Sequence, residues 1–185
     1  TYQTLLDMRG KKLAIGAEGS GTRSIMTNLL RENHLDQGSD IVTIGLGGYD
    51  AVTALLAGDV DIAFMVTRPD TPAVVEMLAN PELSLVSLPR AEAYARRHPY
   101  LSHLVLPRGI FDLGRDLPAV DVHCLAPAAT LVASSAIHPA LTDLLLQIAS
   151  KVHGGGTVLS PNTRFPTKEY LDFPLNNEAE RFFKY

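Results

Sequence analysis

Apolar and polar positions follow two periods along the first half of the chain. Leu13–Gly16, Ile41–Gly45, Val60–Val66 and Leu83–Leu88 are short apolar runs of the kind that form strands covered on both faces. Between them apolar residues recur at helical spacing, first to about Asn33, then over Asp50–Ala57, Thr71 to about Ala79, and Arg90 to about His98. Strand and helix in strict alternation predict an α/β fold with a mostly parallel sheet and helices on both faces. The boundaries agree: Asp50 is placed to cap a helix that Gly58 ends, and Thr71-Pro72 sets a cap before a proline at the first helical position.

The second half reads differently. Leu104–Pro118, rich in Pro, Gly and Asp, predicts an extended connection. Val122–Ser134 is a long apolar run interrupted by Pro127, and a strand of that length would pass from one lobe to another. His138-Pro139 opens a helix with Leu141, Leu144, Leu145, Ile148 and Val152 on one face, a spacing that predicts burial, and Gly154–Gly156 ends it. Thr157–Tyr185 carries Pro161, Pro166 and Pro174 before a last short helix, Asn177–Phe183.

Composition narrows the class. A chain of 185 residues, 46% hydrophobic and 19% charged, fits one sizeable domain or two small lobes and argues against disorder. The net charge of −4, with both signs mixed along the sequence, leaves no basic face for nucleic acid. Arg90, Arg96 and Arg97 read as a solvated helix surface. Cys124 is the only cysteine, which excludes an intrachain disulfide and a cysteine-based metal site, and its apolar surroundings predict a buried thiol. No run approaches the roughly 20 apolar residues that span a bilayer.

The chemistry concentrates in one turn. Lys11 to Ala14 leads through Ile15-Gly16-Ala17-Glu18-Gly19-Ser20-Gly21-Thr22-Arg23 straight into a helical pattern with Ile25, Leu29 and Leu30. Such a strand, turn and helix aim backbone N–H groups and small hydroxyls at one spot, where an anion would meet the positive end of a helix. Gly16 and Gly21 have the spacing that opens a phosphate-binding loop, but Thr22-Arg23 stands where that motif needs Lys followed by Ser or Thr. A dinucleotide fingerprint fails because the glycines run G-x-x-G-x-G. Two readings remain and can coexist: Ser20 or Thr22 merely caps the helix, or they hold a carboxylate there. A second turn of similar build, Gly45-Leu46-Gly47-Gly48-Tyr49-Asp50, also joins a strand to a helix. Two such turns at the carboxyl ends of parallel strands would face one crevice.

Other functional classes find no support. His34, His98, His103, His123, His138 and His153 have no metal-ligand spacing and read as surface or capping residues. No nucleophile elbow occurs, and Asp59 and Asp61 fit no hydrolytic motif. The expectation is a protein without cofactor or metal that is not an enzyme.

Gly10–Thr22 closely resembles the solute receptors of TRAP transporters of the TAXI type. Three further stretches match in order: Ala54–Phe64, Val105–Gly109 and Pro174–Lys184, so the resemblance covers nearly the whole chain. It implies a type II periplasmic-binding fold, in which two α/β lobes close over a small, usually anionic organic ligand and present it to a membrane permease. Residues 11–118 would then be one α/β lobe, and residues 119–185 the hinge-return strand and C-terminal helical part of the other. Carried over, the resemblance puts Gly19, Ser20, Gly21 and Thr22 on the ligand through backbone and hydroxyl hydrogen bonds. Gly48 and Tyr49 would stand at the second turn and Phe64 near the hinge. Both aromatics are commoner as core residues, by the general tendency of aromatics to bury. Arg68 is the next cation along the chain and could pair a carboxylate or a surface acid.

The departures from that family also carry expectations. Relatives have a substantial segment before the Ser-Gly-Thr turn that builds most of the first lobe, so this chain is expected to be a fragment exposing half of a cleft. An exposed apolar cleft wall would favour homodimers. Where relatives often read Pro-Leu-His-Pro-Gly-Ala, this chain has Pro174-Leu175-Asn176-Asn177-Glu178-Ala179, and some such relatives continue into a membrane anchor. The partners implied are an organic acid or amino-acid-like ligand and TRAP permease subunits, in the periplasm or on the outer face of the cytoplasmic membrane. A ligand-sensing effector module of the same fold in a regulatory protein is the alternative.

Overall fold

The computed structural model describes residues 2–69, 71–155, 159, 165–168, 171 and 173–184. Gly156, Thr157 and Pro161, which figured in the reading of the C-terminal part, lie outside them. The described chain forms two compact units, Thr1–Ala91 with Leu104–Cys124, and Glu92–His103 with Leu125–Tyr185.

The first unit is built on a three-stranded parallel sheet in the order β2-β1-β3, with β1 at Lys12–Ala14, β2 at Val42–Ile44 and β3 at Ile62–Ala63. Helix α1 (Gly21–Glu32) connects β1 to β2, and α2 (Gly48–Leu56) connects β2 to β3. The first crossover steps to one side of β1 and the second steps back over it. Right-handed crossovers in opposite directions place the two helices on opposite faces of the sheet.

Residue size explains how tightly this packs. Leu13, Ala14 and Ile15 are all fully buried, as a central strand requires. Ala14 meets Ala51 and Ala54 of α2, together with Val60, so methyl groups on both sides let helix and strand approach closely. Leu13 and Ile15 point to the other face by strand alternation. Helix α1 buries Met26, Leu29 and Leu30, the i, i+3, i+4 stripe its sequence carries. Asp61 pins the register of β3: its N–H donates to the Lys12 carbonyl (2.9 Å), and its carboxylate accepts from the Lys12 N–H (2.8 Å).

Several sequence expectations need correction. The run Val60–Val66 is a strand only at Ile62–Ala63, because β1 offers its ladder only there. Leu83–Leu88 is not a strand; it is tied to the chain around His123 by the Leu88 N–H (2.8 Å to the His123 carbonyl) and by Ser87 Oγ (3.0 Å from the His123 N–H). Helix α3 spans Pro72–Leu78, with Pro72 at its first position as read and Thr71 in the cap position, though the Thr71 hydroxyl donates to the Arg68 carbonyl and makes no cap bond. Asp50 is not a cap: α2 starts two residues earlier, after Gly47.

Helix α4 (Ala91–Arg97) precedes β4 (Leu101–Leu106), which pairs with β5 (Val122–Pro127) in a second sheet. Leu104–Pro118 is therefore strand at its start rather than wholly an extended connection. The long run Val122–Ser134 stops being strand at Pro127, a residue with no N–H to continue a ladder. Cys124 is half-buried rather than buried.

In the second unit, α5 (Pro139–His153) is capped by His138, whose Nδ1 accepts from the Ala140 N–H (3.2 Å). Helix α6 (Asn177–Phe182) is capped by Asn176 and packs against α5. The expected burial of the α5 stripe fails: Leu141, Leu144, Leu145, Ile148 and Val152 are all exposed.

Candidate functional site

The turn after β1 is shaped by what cannot fit in it. Gly16 has φ 95°, and a Cβ there would lie 2.6 Å from Ser20 Oγ and 2.9 Å from Thr22 Cβ. Only glycine allows the chain to fold back so that Ser20 can cap α1, with Ser20 Oγ accepting from the Arg23 N–H (3.2 Å). Gly19 (φ 76°) takes a second left-handed step. Gly21 and Thr22 are the first residues of α1, and among the described residues neither N–H has an acceptor. Capping thus satisfies one donor and leaves others facing outward.

The second glycine turn touches the first. Beyond the strands, the Ile15 N–H donates to the Ile44 carbonyl (3.1 Å) and the Gly16 N–H to the Leu46 carbonyl (2.9 Å). A Cβ on Gly47 would stand 3.5 Å from Gly16 Cα and 3.7 Å from the Ala17 nitrogen. Gly48 (φ 55°) and Tyr49 open α2, and the Tyr49 side chain is 74% exposed, which rules out the core role.

On the other side of β1, the Phe64 N–H donates to the Ala14 carbonyl (2.8 Å), and its ring is half-buried. Arg68 is exposed four residues further on, and its carbonyl accepts from Thr71 Oγ1 (3.3 Å). The expected residues thus fall at the carboxyl ends of three parallel strands. The turn that carries Gly19, Ser20, Gly21 and Thr22 meets the turn that carries Gly48 and Tyr49 through Gly16, Leu46 and Gly47; Phe64 follows one strand over, and Arg68 is the most remote along the chain. In the order β2-β1-β3 the connections step to opposite sides of β1, which makes the β1/β3 boundary a switch point, where open α/β sheets keep their ligand crevice.

One residue of this region escaped the sequence reading. Arg23, half-buried, brings Nη1 to 3.5 Å from the Gly16 carbonyl and to 3.3 Å from where a Cβ on Gly45 would be. In the sequence Arg23 stands out only as the residue that breaks the phosphate-binding-loop pattern. The available signal was its position: a cation in the first turn of α1, which has no acidic residue to offset it, is disfavoured by the helix dipole and needs a compensating contact.

The other matching motifs have structural duties. Asp59 and Asp61 close the turn from α2 into β3. Arg108 pairs with Asp116, while its N–H donates to Asp121 Oδ1 (2.8 Å). Asn176 Oδ1 accepts from the Glu178 N–H (2.9 Å) to start α6.

The parallel sheet with helices between its strands defines an α/β protein, and the family it matches is periplasmic-binding-protein-like. The chain matches the model of the NMT1-like family over residues 1–184, and it belongs to that family. The family consists of binding proteins with a general solute-binding role, typically extracytoplasmic. No curated protein matches the chain. Among the described residues, no helix is long and apolar enough to cross a membrane.

Proposed function

We propose that this protein is a solute receptor of the TAXI type that captures a small anionic organic ligand, an organic acid or amino-acid-like molecule, and delivers it to a TRAP permease. The observation that carries the reading is the contact between the two glycine turns at the carboxyl edge of β1 and β2. Two helix N-termini, with N–H groups of Gly21 and Thr22 lacking acceptors among the described residues, favour negative charge at that edge. Arg23 adds a positive charge that pairs with no carboxylate among the described residues.

In this reading Gly19, Ser20, Gly21 and Thr22 bind the anionic group, Gly48 supplies backbone, and Tyr49 and Phe64 form walls. Arg68 is a further cation at the rim. Residues 11–118 act as one lobe and 119–185 as the return strand and helical part of the other, in the periplasm or on the outer face of the cytoplasmic membrane.

A thermal-shift screen against organic acids and amino acids tests the binding. The expected result is a saturable rise in melting temperature with at least one acid, corresponding to about 2.7 kcal/mol at a hundredfold excess over Kd. A Thr22→Val variant should respond weakly or not at all. No response from the wild type to any acid would overturn the reading. Uptake of the identified ligand by proteoliposomes holding the TRAP permease, dependent on added protein, separates a transport receptor from a sensing module.

A further inference from the structure

We infer that Arg23 is a positioning residue whose guanidinium clamps the two glycine turns into a single surface, which on the receptor reading above is the surface that meets the ligand. Three observations carry it. The side chain leaves the first turn of α1 and returns to the Gly16 carbonyl at 3.5 Å, too long for a strong hydrogen bond but close enough to seat the planar group over the first turn. The same Nη1 lies 3.3 Å from where a Cβ on Gly45 would stand, so the guanidinium also closely approaches the second turn. Gly45 is not in the left-handed region. Its backbone therefore does not demand glycine; a Cβ there would instead press on the Arg23 guanidinium.

The contacts form a closed chain. The Arg23 N–H is held by Ser20 Oγ, Ser20 Oγ fills the space a Cβ on Gly16 would take, and the Gly16 N–H donates to the Leu46 carbonyl in the second turn. Arg23 closes this loop from its own side chain to Gly16 and Gly45. A guanidinium is suited to this because its rigid plane can lie against two backbone segments at once, whereas a lysine ammonium is a point charge on a flexible stem. Placing a cation at the unfavourable end of a helix is understandable if its function is to hold the turns.

The test reads the turns without any ligand. Amide exchange at Gly16 and Ser20, and backbone order parameters at Leu46 and Gly47, are measured by NMR in the wild type and in R23M, R23K and G45A, with Leu13 as reference. The expected result for R23M and G45A is exchange about tenfold faster at Gly16 and Ser20, with order parameters falling at Leu46 and Gly47 and Leu13 unchanged. R23K should behave like R23M. The inference is overturned if R23K matches the wild type, if only α1 residues respond, or if Leu13 loosens in step with the turns. Should R23M fail to fold, G45A still decides, since its methyl group asks only the flexible end of Arg23 to shift by a few tenths of an ångström. A failed ligand screen would leave these exchange data unaffected, so the two ideas fail separately.

Discussion

Ser20 shows how one residue serves both structure and function. Its Oγ caps α1, so Ser20→Ala should lower stability by about 1 kcal/mol in urea denaturation. If the same variant also loses the thermal response to the ligand that the wild type binds, the hydroxyl does both jobs. Asp61 gives a pH signature. The Lys12 N–H, and then the Lys11 ammonium, hold its carboxyl below the usual carboxylate range. A folded-state value below the unfolded one means the contribution is present above the unfolded value and is lost as pH falls through the folded one. Stability of Asp61→Asn should therefore fall less steeply than that of the wild type as pH drops below 5, with the difference between the two largest near pH 7 and vanishing in acid. Identical slopes would show that Asp61 does not couple to folding. At this scale the Ser20 cap was legible because capping is local. Arg23 was not, because its partners Gly16 and Gly45 are brought together only by the pairing of β1 with β2.

Elements were legible in kind and less so in extent. Helical periodicity located α1 and α5 equally well, yet α1 buries Met26, Leu29 and Leu30 whereas α5 buries nothing. A periodic stripe specifies which side of a helix is apolar and is silent about what lies against it. Leu30→Ala, at a fully buried position, should cost about 2–5 kcal/mol by urea unfolding. Leu144→Ala, at a position 49% exposed, should cost less than about 0.5 kcal/mol. Equal losses would mean that the α5 stripe is covered in solution. Strand limits depended on partners: the Val60–Val66 run shrank to Ile62–Ala63, and Leu83–Leu88 found no ladder.

For the whole molecule, the apolar stripe of α5 together with exposed Leu131 and Val132 is surface that water disfavours. The expected outcome is self-association, seen by light scattering as a mass above 20.0 kDa that rises with concentration and is reduced by Leu144→Asp. A monomeric mass at every concentration would refute it. By itself the sequence determined the α/β class, the parallel alternation, the Ser20 cap and the glycine turns, because each follows from contacts a few residues apart. Tertiary structure alone decided that the two turns touch, that Arg23 approaches both, that Tyr49 faces solvent and that the apolar stripe of α5 is exposed. Those outcomes depend on which distant segments share a sheet edge or a packing face, and local periodicity contains no such information.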